Sequence, residues 1–120
     1  EMYNFLPAST AADMMYVALR DIASDLPKDA KLILSVHDEI VVDTPKDCAA
    51  ETSRIVDGVM ERTWPSIVAA SSNPREVKKH YPNGWHCPTE GYFGHNWKDC
   101  KGKTDQAIKR DADIRKGLGL

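Results

Sequence analysis

No apolar run in these 120 residues approaches the length of about 18 that a membrane-crossing helix needs, so no membrane partner is expected. The N-terminus, EMYNFLPASTAADMM, lacks the basic region and long apolar core of a secretory signal. Cysteine is scarce and odd in number, Cys48, Cys87 and Cys100. Disulfide scaffolds usually use an even set, so a reduced, cytoplasmic setting is expected. Charge of one sign is also missing. Sixteen Lys and Arg against 18 Asp and Glu leave a net charge of -2, and no global positive field points to nucleic acid. There is no internal repeat and no low-complexity tract. The length suits one small domain, which would bury roughly two-thirds of the surface its unfolded chain exposes. Residue 1 is Glu, so either Met2 is the natural start behind a stray residue or the chain is a piece of a longer one.

What the sequence does contain is apolar periodicity in its first half. Ala11, Met15, Ala18 and Ile22, widened by Met14 and Leu19, predict a helix over residues 10–25. Thr10 and Asp13 resemble a capping box, and Pro27 closes the segment. KLILSV and EIVVD, within residues 31–43, predict two strands with largely apolar faces, hence a sheet covered on at least one side. Their tight connection falls at His37-Asp38, where neither Gly nor Asn-Gly is present. Thr44 as cap, Pro45 at the first helical position and Asp47 near the positive end of the dipole then open a second helix. Its stripe is Cys48, Thr52, Ile55, Val56, Val59 and Met60, and Pro65 is expected to end it. Cys48 reads as a small hydrophobe.

Past residue 65 the pattern weakens. Pro74, Pro82, Gly84, Pro88, Gly91 and Gly94 interrupt a stretch dense in Tyr81, Trp85, Tyr92, Phe93 and Trp97. This predicts an irregular, partly buried segment with one short strand near 89–93. Residues 98–116 are strongly polar and predict a solvated helix or a loose tail. His80, His86, Cys87, His95 and Cys100 are acceptable zinc ligands, but without a C-x₂-C or H-x₃₋₅-H pair they read as scattered loop residues. Lys78, Lys79, Lys98, Lys101, Lys103, Lys109 and Arg110 are interleaved with acids and read as solvated surface. Trp85 and Trp97 could stack on bases; packing the thin C-terminal segment is the more economical role.

The conspicuous feature is SVHDEIVV, residues 35–42, where His37, Asp38 and Glu39 interrupt an apolar run. Adjacent carboxylates on an apolar hairpin repel each other and lose hydration, so a cation is expected to compensate. Mg²⁺ suits this role, because it binds through one or two carboxylates, several waters and substrate phosphates. Side chains alternate along a strand, so one carboxylate should be the principal ligand. Asp38, nearer the tip, is expected to fill it, with Glu39 auxiliary. His37 could donate a hydrogen bond to a phosphate or a sugar hydroxyl. The plainer alternative is a polar turn.

Ser35-Val36-His37-Asp38-Glu39-Ile40-Val41 resembles the V-H-D-E segment of family A DNA polymerases. Asn4-Phe5-Leu6-Pro7-Ala8-Ser9-Thr10-Ala11-Ala12-Asp13 is similar to the family's N-x-P-x-Q-G-T-A-A-D stretch, which opens the helix leading to that hairpin. Gly94-His95-Asn96-Trp97 resembles its G-x-N-W ending. The resemblance covers residues 4–64 well and 89–100 loosely. It implies an α/β fold, a helix–β-hairpin–helix part of the palm over residues 1–100, followed by a polar tail over 101–120. It implies Asp38 and Glu39 as catalytic metal-site residues for two Mg²⁺ ions and His37 near the primer terminus. Asn4 and the residue at position 8 would line the minor groove of the new duplex, and Thr10 and His37 would also contact DNA. The implied function is DNA-directed DNA polymerisation on primer–template DNA with deoxynucleoside triphosphates, by two-metal catalysis.

Two departures qualify that expectation. The family's glutamine is Ala8 here and its following glycine is Ser9, so checking of the primer end should be weakened. No segment like D-Y-S-Q-I-E, which carries the family's other metal-binding aspartate, is present, and neither is the nucleotide-binding fingers helix. One aspartate cannot hold two ions and a triphosphate. The chain is therefore expected to act with an N-terminal polymerase portion, in one longer chain or as half of a split, phage-type polymerase in the host cytoplasm. Alone it should be inactive and should expose the apolar face that portion would cover. The rival reading is a decayed or accessory polymerase remnant that binds DNA or a partner without catalysis; a small zinc-stabilised binding module is a further one.

Overall fold

A computed structural model of the chain describes the backbone of residues 2–70, 75, 78–79, 88–100 and 104–120, and the side chains of these residues except 2–10 and 64–70. The described elements run in the order α1 (Met2–Asp25), β1 (Lys31–Val36), β2 (Glu39–Asp43), a 3₁₀ turn (Lys46–Cys48), α2 (Ala49–Ala70), α3 (Trp97–Cys100) and α4 (Asp105–Leu118). The fold is thus mixed helix and strand, with the helix–hairpin–helix order that the sequence predicts.

The helix α1 starts earlier than its apolar periodicity suggests. It runs through Pro7, which near a helix start deprives the ladder of few bonds, so Thr10 lies inside the helix and does not begin it. Likewise α2 continues past Pro65 to Ala70. Thr44 is not a cap. The 3₁₀ turn has Pro45 at its cap position with no side-chain cap bond. The Thr44 hydroxyl instead pairs with Thr52 Oγ1 at 3.0 Å and Cys48 Sγ at 3.3 Å. That contact satisfies Thr52, which is buried on the α2 stripe, as a buried hydroxyl requires.

The core forms where the three elements meet. Ala18 and Ile22 of α1 and Val59 of α2 are its buried centre, and Leu26, Leu32, Ile40, Ile55, Val56 and Met60 pack around them. The helical spacing of Ala18 and Ile22, and of Ile55, Val56, Val59 and Met60, aims both stripes at the same place. The ion pair of Arg62 with Asp25, at 2.7 Å, joins α2 to the end of α1.

The two strands pair antiparallel, with Leu32 opposite Val42, Leu34 opposite Val41, Ser35 opposite Ile40 and Val36 opposite Glu39. The register shifts between Leu32 and Leu34, which leaves Ile33 as the extra residue of a bulge. Leu32 and Ile40 face the helices. Ile33 and Leu34 remain 58% and 37% exposed. One side of the sheet is therefore covered, and both of its edges are open among the described residues.

No strand forms at 89–93, where the backbone of 88–94 is irregular. Residues 105–118 adopt the helical alternative. Thr104 accepts a hydrogen bond from the Ala107 N–H at 3.3 Å, Asp105 lies in the first turn, Arg115 and Lys116 lie in the last, and Gly119 closes the helix at φ 74°. Each complements the exposed peptide groups or the dipole at its end. Ala107 is buried, so this part of the polar tail is docked. Among the described residues no helix is long and apolar enough to cross a membrane.

Two outcomes follow from this packing. Ile22→Ala should cost about 2–5 kcal/mol, read as a lowered urea midpoint at unchanged slope; a shift within error would show that Ile22 is not central to the core. The chain by itself should associate through the exposed Ile33–Leu34 surface, and Ile33→Lys should raise the monomer fraction in light scattering. A parent chain that stays monomeric at high concentration would contradict this.

Candidate active site at the hairpin bend

His37 and Asp38 make the whole connection between β1 and β2, since Val36 already pairs with Glu39. His37 has φ 55° and is, among the described residues, the non-glycine residue with positive φ. A left-handed residue costs roughly 1–2 kcal/mol, and His, Asn and Asp are the side chains that tolerate it best. Histidine thus supplies the sharp reversal that glycine usually provides in a two-residue hairpin. Such a conformation persists when its surroundings fix it, and here the Leu32–Val42 and Ser35–Ile40 pairs do so from both strands.

His37, Asp38 and Glu39 are all exposed. The two carboxylates nevertheless differ in their surroundings. Among the described residues Asp38 has no hydrogen-bond or ion-pair partner. Glu39, the first residue of β2, accepts a hydrogen bond through Oε1 from Trp97 Nε1 at 3.4 Å. Asp38 and Glu39 stand on the wall of a cleft of 990 Å³, together with Ile40–Thr44. Its other walls come from Met14, Met15 and Ala18 of α1, Val56 and Met60 of α2, and residues 88–94 with Trp97.

Trp97 reaches Glu39 because the chain before it is tightly folded. A Cβ on Gly94 would lie 2.8 Å from both Asp99 Cβ and Cys100 Sγ, closer than side-chain carbons approach, so this position takes glycine. The Asn96 side chain accepts from the Asp99 N–H at 3.0 Å and donates to Asp99 Oδ2 at 3.1 Å. It thereby caps α3, whose first residue is Trp97. The sequence marks Gly94, Asn96 and Trp97 as a motif, but nothing in it signals that the partner is Glu39, 58 residues away.

Asn4, Ala8 and Thr10 lie on the backbone of α1, and their side chains fall outside the described residues. The same holds for His80, His86 and Cys87 of the candidate zinc set. Among the described residues no group of three His, Cys, Asp or Glu side chains is assembled that could hold a metal. Magnesium asks for less, namely one or two carboxylates completed by water and phosphate. The exposed pair Asp38 and Glu39 meets that demand in part and leaves further ligands to come from elsewhere.

Cys100, beneath Gly94, titrates above the usual thiol value, first because burial disfavours the thiolate and then because Asp99, Asp111 and Glu39 add negative charge. The native thiol holds its proton more tightly than the unfolded one. Its contribution is therefore present below the usual thiol value and is lost as pH rises through the raised one. Iodoacetamide should alkylate Cys100 more slowly than a free cysteine peptide at pH 8, with onset at higher pH, and Glu39→Gln should bring that onset down. Alkylation at the peptide's rate would contradict the burial and charge assigned to it.

Residues 2–86 match the DNA polymerase family A. The chain is 37% identical over 84 residues to the thermostable DNA polymerase I of Thermus filiformis, covering 69% of this chain and 10% of that protein. It is 34% identical over 84 residues to the corresponding enzyme of Thermus thermophilus, with the same shares. Against the DNA polymerase I of Bacillus caldotenax it is 32% identical over 80 residues, 64% of this chain and 9% of the relative. The chain spans about a tenth of the length of these relatives. No solved structure matches it. Residues 88–120, with Trp97 and α4, lie beyond the matched region, whereas the hairpin with His37, Asp38 and Glu39 lies inside it. Since the match takes in both core helices and the strained bend between them, the chain belongs to DNA polymerase family A.

Proposed function

We propose that this chain supplies the C-terminal palm portion of a DNA-directed DNA polymerase and works with polymerase segments outside it. The observation that carries the reading is an open carboxylate, Asp38, fixed at a two-residue bend in a chain that belongs to this family. Template-directed nucleotidyl transfer to a primer is the reaction, with primer–template DNA and deoxynucleoside triphosphates as substrates.

The roles follow from position. Asp38 is the principal carboxylate toward magnesium, because it is exposed and uncommitted. Glu39 is auxiliary, because one of its oxygens is engaged by Trp97. Magnesium, when bound, stabilises the attacking and leaving oxygens of the displacement. His37 projects from the bend as a donor toward a phosphate or sugar oxygen at the primer end. A second aspartate must come from outside, since one carboxylate has too few oxygens to hold two divalent ions in place. Exposed Ile33 and Leu34 give that missing portion an apolar surface to cover. A split, phage-type arrangement fits, as does one longer polypeptide.

A remnant that binds DNA or a partner without catalysis is the second reading, favoured by Ala8 and Ser9 where the family has glutamine and glycine. Primer extension separates the two. This chain, joined to or mixed with the segments that carry the second aspartate, should extend a primer only with a divalent ion. Asp38→Asn should lower the rate at least about 100-fold, since a metal ligand is worth several kcal/mol. Ala8→Gln should raise it roughly two- to tenfold, the effect of one restored hydrogen bond. Undiminished extension by Asp38→Asn would remove Asp38 from the chemistry, and duplex binding without extension would favour the remnant.

A further inference from the structure

We infer that α4 is a positioning element for Glu39, acting through residues 91–97, with Asp111, Arg115 and Trp97 as positioning residues for the acidic bend. The contacts that assign this role form one connected series. On α4, Asp111 and Arg115 are an (i, i+4) pair with Arg115 Nε 2.8 Å from Asp111 Oδ2. The other Asp111 oxygen, Oδ1, accepts the Phe93 N–H at 2.7 Å. Arg115 Nη2 donates to the Gly91 carbonyl, and its guanidinium carbon sits 5.1 Å from the centre of the Phe93 ring. One ion pair thus grips the irregular backbone on both sides of Tyr92, giving the Phe93 N–H and the Gly91 C=O the partners that a neighbouring strand would otherwise provide. Arg110 adds a second tie, 2.8 Å from Asp99 of α3.

From there the path to the bend is short. Gly94 allows the gripped segment to close onto Asp99 and Cys100, Asn96 caps α3, and Trp97 presents its indole N–H to Glu39. An exposed glutamate samples many rotamers and loses that freedom when it is held. Binding Oε1 in advance leaves Oε2 as the oxygen that can turn toward a ligand. Groups that hold a metal's carboxylate from behind commonly decide its affinity. Asp111 and Arg115 lie on α4, beyond residues 2–86 that match the family.

What Glu39 then does rests on the polymerase reading; the positioning itself does not, and two measurements keep them apart. In this chain, ¹H–¹⁵N spectra give a Trp97 indole resonance, assigned by its loss in Trp97→Phe. Glu39→Gln, Asp111→Asn and Arg115→Ala should each shift it, with Arg115→Lys, which keeps charge but not the fork, intermediate. Circular dichroism identifies any variant that fails to fold, and Arg115→Lys then carries the test. With the remaining polymerase segments present, Trp97→Phe and Arg115→Ala should raise the magnesium concentration for half-maximal extension roughly three- to tenfold, at unchanged KM for the nucleotide. An indole resonance that ignores the α4 substitutions overturns the positioning, and a moving resonance with an unchanged magnesium requirement overturns the role given to Glu39 toward the ion. If the resonance moves but the parent complex does not extend primers, positioning by α4 stands and the polymerase reading falls.

Discussion

The anchoring of Leu32 and Ile40 against Ile22 and Val59 is the contact on which the rest of the molecule depends. It fixes one face of a hairpin that, as two strands alone, would be marginal in water. Because side chains alternate, fixing that face also fixes the register. Register in turn places Val36 opposite Glu39 and leaves two residues for the reversal. The left-handed His37 and the outward Asp38 are therefore consequences of apolar packing two to six residues away. The acidic bend is held by the core beneath it, and among the described residues no hydrogen bond or ion pair holds Asp38.

The two carboxylates illustrate how one apolar scaffold gives neighbouring residues different roles. Asp38 occupies the turn, where no described residue bonds to it. Glu39 begins a strand and meets the indole of Trp97. That asymmetry arises from the C-terminal third of the chain, which contributes little to the buried core among the described residues. Its contribution is polar and specific: a capped short helix, a glycine with no room for a Cβ, and an Asp–Arg pair gripping backbone groups. Such contacts add little net stability individually, but they are directional, which is what orientation of a carboxylate requires.

Much of the first half was legible in the sequence. Both strands appear where KLILSV and EIVVD stand, and the α2 stripe at Thr52, Ile55, Val56, Val59 and Met60 lines the core side of that helix. These elements are set by local periodicity, which sequence displays directly. The bulge at Ile33 was not legible, because it concerns pairing between strands. Helix ends were misplaced at Thr10 and Pro65, since proline and threonine carry boundary signals that packing can override. For the polar segment 98–116 the sequence leaves helix and loose tail open; Thr104, Asp105, Arg115, Lys116 and Gly119 form a complete set of end signals that favours the helix. The Trp97–Glu39 contact had no sequence signal, because nothing local encodes a partner 58 residues distant.

The most direct test of the account is where a divalent ion sits when the chain is assembled with the missing polymerase segments, primer–template and nucleotide. Manganese broadens the amide signals of nearby residues. The account predicts broadening centred on residues 37–39, abolished in the Asp38→Asn chain. Broadening centred elsewhere, or a bend unaffected by the ion in the full assembly, would contradict it.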